Sequence, residues 1–236
     1  MTISQMSLKI NVGWKQITKW VVIGIIGIVL LVFFIRVAIY EADYYSRMEG
    51  SERDVTTSSV ISVADDVEEV EPTEQEVQEY TVAADRPRYL SIPKLGKYDV
   101  RVLPVTADSV GVLGTPRNIF DVGWYIESGK PGSGKTLVID GHNGGPRVKG
   151  VFKNLPDLAV GDVIIIERGD GVKFTYSVVE NQEVLLEEAN RYMADKAMRS
   201  PTKGKESVTL ITCSGEWSEQ RGTYLSRQFV RAVLVG

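Results

Sequence analysis

Hydrophobic and polar positions divide this chain into three unlike stretches. From Trp20 to Ile35 no charged or strongly polar side chain occurs, and with Arg36 included the apolar run reaches Tyr40. Residues 49 to about 85 are instead rich in Glu, Asp, Ser, Thr and Val, with almost no aromatic residue. From about Arg86 onward, short β-branched and aromatic runs recur between Gly, Pro and Asp: YLSIP, DVRVLPV, IFDVGWY, TLVID, DVIIIER, VKFTYSVVE, SVTLIT and RQFVRAVLV. These runs predict eight strands at the spacing of an antiparallel barrel or sandwich. One helix is predicted over 187–199, where Ala189, Met193 and Ala197 recur at four-residue spacing with Tyr192 beside them, before Pro201. A shorter turn is expected at NLPDL, 154–158.

The apolar run at 20–40 is long enough, at about 1.5 Å per helical residue, to span a hydrocarbon core of about 30 Å. Lys9, Lys15 and Lys19 precede it and Glu41, Asp43, Glu49 and Glu52 follow it. That asymmetry predicts a cytoplasmic tail (1–19), a transmembrane signal anchor (20–40) and an extracytoplasmic remainder. A cleaved signal peptide would have a shorter apolar core and a small-x-small cleavage site, for which RVAIYEA is a poor match. Residues 41–85 are expected to form an acidic flexible linker, since such a composition buries too little apolar surface to order itself. Its DDVEEVE cluster lacks the Gly-centred spacing of a tight calcium loop.

Charge follows the same division. Residues 49–79 carry one basic and eleven acidic groups, whereas residues 80–236 carry 21 and 18. A balanced folded unit gives no footprint for nucleic acid. Gly129 to Thr136, GKPGSGKT, matches the phosphate-binding loop G-x-x-x-x-G-K-T literally. That loop requires a helix directly behind it. Here Leu-Val-Ile-Asp-Gly-His-Asn-Gly-Gly-Pro follows, so a Gly-rich hairpin between two strands is expected and nucleotide binding is not.

The chemistry concentrates on single residues. Cys213 is the only cysteine and His142 the only histidine. Cys213 ends the alternating run SVTLITC, and a polar loop, SGEWSEQRGTYLS, is expected to begin directly after it. A lone cysteine on a strand is most often a small packing group. Outside the cytoplasm, however, an unpaired thiol is a liability unless it is used. An ordinary thiol is only about 3 per cent ionised at pH 7, so a nucleophilic one needs a base or a cation beside it. His142, where TLVIDGH runs into GHNGG, is the one imidazole available. Arg227 opens the final strand and is the preferred group for an oxyanion, with Arg221 and Arg231 as rivals.

Taken together, LSIPKLG (90–96), VIDGHNG (138–144), GVFKNLPDLAVGD (150–162), TLITC (209–213) and RQFVRAVLV resemble the sortase family, in order, over residues 86–236. The resemblance implies a closed eight-stranded β-barrel catalytic domain, mainly β with one or two short helices, behind the transmembrane helix and disordered linker. It implies a membrane-anchored cysteine transpeptidase without cofactor or metal, with Cys213 as nucleophile, His142 as acid/base and Arg227 at the oxyanion or substrate. Thr212 would lie beside the substrate backbone, and Trp217 is a candidate wall of the peptide groove. Asp140 stands where the family commonly has a small residue. The GGP-x-x-x-GVF segment and the anchor look most like the class E or F branches. The implied partners are C-terminal sorting-signal peptides of secreted proteins and an amine of a cell-wall precursor or pilin. Two other readings are a cysteine peptidase that hydrolyses and a non-catalytic binding domain on a stalk.

Overall fold

Eight β-branched runs need eight strands to pair with, and in a computed structural model describing residues 67–108 and 112–236 all eight form. They are β1 (Pro87–Ile92), β2 (Lys97–Val105), β3 (Val122–Tyr125), β4 (Thr136–Gly141), β5 (Val163–Arg168), β6 (Lys173–Leu185), β7 (Ser207–Ser218) and β8 (Thr223–Leu234). They close as β1-β2-β3-β4-β7-β8-β6-β5, so the architecture is a barrel and not a sandwich. Closure leaves no unpaired edge. Six pairings are antiparallel, but β2–β3 and β4–β7 are parallel. The parallel β4–β7 pair is reached by the long crossover through β5 and β6, as parallel neighbours require.

Alternation sorts the two faces of the central strands. Leu137, Ile139, Val208, Leu210, Val230 and Ala232 fill the barrel interior. Val138, Ile211 and Phe229 point outward into a second cluster with Val184, Ala189, Tyr192 and Ala197. TLITC is apolar on both faces because a helix covers the outer one. That helix, α2 (Leu186–Tyr192), continues as a π-helical turn from Met193 to Ala197, close to the span expected from the sequence. Thr209 Oγ1 donates to Ala197 O at 2.8 Å, and the Arg231 guanidinium donates to Lys196 O and Arg199 O. The strands beneath thereby supply donors to the helix end, Lys196 O accepting from Arg199 N as well.

Two expectations are corrected. Cys213 does not end its strand: β7 runs on to Ser218, and the expected loop is the far half of a hairpin with β8. A register shift between Ser214 and Trp217 holds it, with Gly215 at φ +76°, where an added Cβ would sit 2.8 Å from Ser226 Oγ. Polar composition hid this extension, since outward-facing hairpin residues need no apolar alternation. The linker is not flexible throughout either. Glu68 pairs with the 117–119 segment through two backbone hydrogen bonds, and Glu69 accepts from Arg147 N at 2.8 Å. Helix α1 (Glu74–Glu79) then opens with a Thr73/Glu76 capping box. These acidic residues order the chain as hydrogen-bond acceptors rather than by burying surface. Among the described residues no helix is long and apolar enough to cross a membrane; the expected anchor at 20–40 lies outside the described residues.

The GKPGSGKT segment is the turn between antiparallel β3 and β4. Its amides are already occupied: Gly132 N and Gly134 N donate to the two carboxylate oxygens of Glu206 at 2.9 and 2.7 Å, and Tyr176 Oη donates to Glu206 at 2.6 Å. A phosphate would have to displace a buried carboxylate. Glu206→Ala leaves three donors without their acceptor and is expected to destabilise the barrel by about 3 kcal/mol or more, read as a fall in the denaturant midpoint.

Candidate active site

The sheet itself gathers the candidate residues. Parallel pairing of β4 with β7 sets Val138 against Thr209 and Asp140 against Ile211. Thr212 Oγ1 extends the match by donating to Gly141 O at 2.8 Å. One step further along both chains, His142 lies level with Cys213. Antiparallel pairing of β7 with β8 then sets Cys213 opposite Arg227. By register, Cys213 on β7 and Arg227 on β8 are set opposite each other and level with His142, the residue directly after β4. By alternation Cys213 shares the outer face with Ile211, and Arg227 shares it with Phe229. The helix-covered cluster is thus one wall of the site.

All three side chains are half-buried. Burial pushes the Cys213 thiol above its ordinary value, Arg227 draws it down and Asp140 pushes it up. The resting sulfur is therefore mainly the thiol at neutral pH, and it needs a base when it attacks. His142 Nε2 lies 2.7 Å from Pro116 O, and among the described residues no hydrogen bond joins the imidazole to the thiol. Arg227 Nη1 donates to Tyr224 O at 3.1 Å and Ser226 O at 2.8 Å, and Nη2 to Thr223 Oγ1 at 3.3 Å. These contacts fix the guanidinium while leaving Nε–H and one Nη2 hydrogen uncommitted.

The rival arginines are sorted by their surroundings. Arg231 is buried, pairs with Glu180 at 2.5 Å and ties down the end of the helix. Arg221 is exposed at the hairpin turn. Thr212 is buried and, by alternation, points into the barrel, with its hydroxyl spent on Gly141. It stands directly before Cys213 on β7. Trp217 is half exposed at 53% and packs edge-on against Tyr224 with ring centres 5.3 Å apart, on the hairpin beyond Cys213.

Asp140 belongs to this neighbourhood although sequence reasoning assigned it no role. It is buried on the outer face of β4 and receives the Thr115 hydroxyl on Oδ2 at 2.5 Å, while Oδ1 has no partner. Burial raises its carboxyl to about 7, against the Thr115 hydrogen bond, which lowers it. The available signal was a lone acid within an apolar strand. Because the folded value lies above the ordinary value of about 3.9, the folded state holds the extra proton between the two, and stability falls as pH rises through that interval. Asp140→Asn removes this titration. Its stability relative to the parent is expected to grow between about pH 4 and pH 7 and to level off above, measured by denaturant unfolding across pH.

Sortases of known structure are among the proteins similar to this chain. The lid mutant of sortase A from Corynebacterium diphtheriae is similar at 25% identity over 67% of this chain and 74% of that one, with a TM-score of 0.47. The lid mutant of sortase C1 from Streptococcus agalactiae is similar at 20% identity over 70% and 76%, also with a TM-score of 0.47. No curated protein matches the chain. The family model of the sortase domain, in contrast, matches residues 90–235, from within β1 to just beyond β8 and across the whole Cys213, His142 and Arg227 neighbourhood, and on that match the chain belongs to the sortase family.

Proposed function

We propose that this protein is a membrane-anchored sortase whose nucleophile is Cys213, with His142 as acid/base and Arg227 as the oxyanion group. The observation that carries the reading is the register that sets Cys213 opposite Arg227 and level with the end of β4. Cys213 Sγ attacks the carbonyl carbon of a peptide bond in a C-terminal sorting signal, and its proton passes to His142. Arg227 stabilises the oxyanion of the tetrahedral intermediate. The C–N bond breaks, His142 protonates the departing amine, and a thioacyl enzyme remains. An incoming amine of a cell-wall precursor or pilin attacks the thioester and gives up its proton to His142. The C–S bond then breaks, and the thiol is restored. Trp217 and the helix α2 wall flank the peptide.

Product analysis tests the reaction type. With an added amine the acyl product is expected to carry that amine, and without one it should accumulate as thioacyl enzyme or slow hydrolysis product. Equal hydrolysis under both conditions would identify a peptidase instead. Anchoring through residues 20–40, with the N-terminus cytoplasmic, predicts that the mature protein keeps its N-terminal tail; a mature N-terminus beginning after Tyr40 would refute it.

A further inference from the structure

The segment before β3 touches both the buried carboxyl and the imidazole. Asp140 in β4 pairs across the sheet with Gly123 in β3, and the absence of a side chain there makes room for the carboxyl. A Cβ at Gly123 would fall 2.5 Å from Asp140 Oδ1 and 3.0 Å from Pro116 Cδ. Into this space comes Thr115, whose hydroxyl donates to Asp140 Oδ2 at 2.5 Å. The carbonyl of the next residue, Pro116, meets His142 Nε2 at 2.7 Å.

The direction of that last contact follows from chemistry. A carbonyl oxygen can only accept, so Nε2 carries the proton, and a neutral imidazole with Nε2–H presents a bare Nδ1. Nδ1 is then the nitrogen left to take the thiol proton. Among the described residues no other hydrogen bond reaches the His142 ring, and Pro116, with its locked φ, is a stiff mount for the acceptor. Asp140 and Thr115 lie behind it; neither hydrogen-bonds the thiol, on which Asp140 acts only through its charge.

We propose that Asp140 and Thr115 are positioning residues for His142: the carboxylate holds the Thr115 hydroxyl, the Thr115–Pro116 segment holds its carbonyl against Nε2, and the imidazole is kept as the Nε2–H tautomer with Nδ1 as the working base. The inference rests on His142 being the acid/base. Its geometry can nevertheless be tested without turnover.

The sole histidine makes the test direct, since the full-length chain labelled with 15N-histidine gives one imidazole. At about pH 8.5, above the ordinary imidazole range, the wild-type ring is expected to show protonated Nε2 and bare Nδ1. Thr115→Val removes the donor at nearly constant shape and should shift the ring toward a tautomer mixture, and Thr115→Ser should restore the wild-type pattern. With the peptide recovered by thioacyl trapping as substrate, Thr115→Val should lower kcat about ten- to a hundredfold at nearly unchanged KM, again with recovery in Thr115→Ser. Protonated Nδ1 in the wild type overturns the proposal. An unchanged tautomer in Thr115→Val also overturns it, even if kcat falls, because Thr115 would then act on something other than the ring. If the wild type has no transfer activity, the catalytic reading fails, and the tautomer measurement still decides whether Asp140 and Thr115 hold the ring.

Discussion

Cys213→Ala is expected to abolish acyl transfer, with a loss of at least about 10⁴-fold when measured as transpeptidation product, because no other side chain can form the thioester. The same substitution is expected to leave the thermal midpoint within a few degrees of the parent. Cys213 is half-buried at the outer edge of the helix-covered cluster and is not one of its buried members, so truncation removes one sulfur without opening a cavity in the barrel. Loss of product with an intact fold separates a nucleophile from a packing residue. Product formation by the alanine variant at more than a trace would contradict the assignment.

The second large effect divides the three arginines of the last two strands and their turn. Arg227→Ala is expected to lower kcat by about 10²- to 10³-fold, the usual loss when one oxyanion donor is removed. Its folding stability should change little, since the backbone carbonyls that Arg227 caps lie near the hairpin and can turn to water. Arg231→Ala should behave in the opposite way. It removes the ion-pair partner of half-buried Glu180, the donor to Arg199 O and one of the donors to Lys196 O, for an expected cost of about 1–3 kcal/mol. Arg221→Ala, at an exposed turn, should alter neither quantity measurably. Steady-state kinetics and denaturant unfolding on the three variants give this pattern or break it. A kcat loss in Arg231→Ala at full stability would move the oxyanion role to Arg231.

Much of the barrel was legible because period-two alternation is local. Each of the eight apolar runs contains its own evidence, and each forms a strand. The parallel pairing of β4 with β7 was not legible, because it depends on a crossover that no residue in either strand records. The extension of β7 through Trp217 was hidden for a related reason: a hairpin leaving the barrel is wetted on both sides and shows no alternation. Acidic residues 67–79 looked too polar to order, and composition could not reveal that Glu69 finds the backbone of Arg147 and Val148.

The site shows the same division between local and distant information. Cys213 and His142 stood out as single residues of their kinds, each closing an apolar run. Arg227 could be placed near the thiol only by assuming a tight return, whereas the register sets it opposite. Three arginines within eleven residues look alike in sequence, and burial with Glu180 is what removes Arg231 from contention. The GKPGSGKT match shows the converse case. A pattern that is specific in one strand-helix setting becomes a hairpin when a strand follows it, and Glu206, some 70 residues away, occupies its amides. Asp140 was visible as an acid in an apolar strand, but its partner Thr115 lies 25 residues away, in the segment before β3.

The central claim is a covalent one, and intact-protein mass spectrometry of the full-length chain incubated with a library of sorting-signal peptides tests it most directly. The wild type is expected to gain the mass of the N-terminal acyl fragment of a cleaved peptide, localised to Cys213 by digestion, and to lose that mass when an amine is added. An adduct on any other residue, or cleaved peptide with no adduct at Cys213 at any time point, would contradict a sortase working through this thiol.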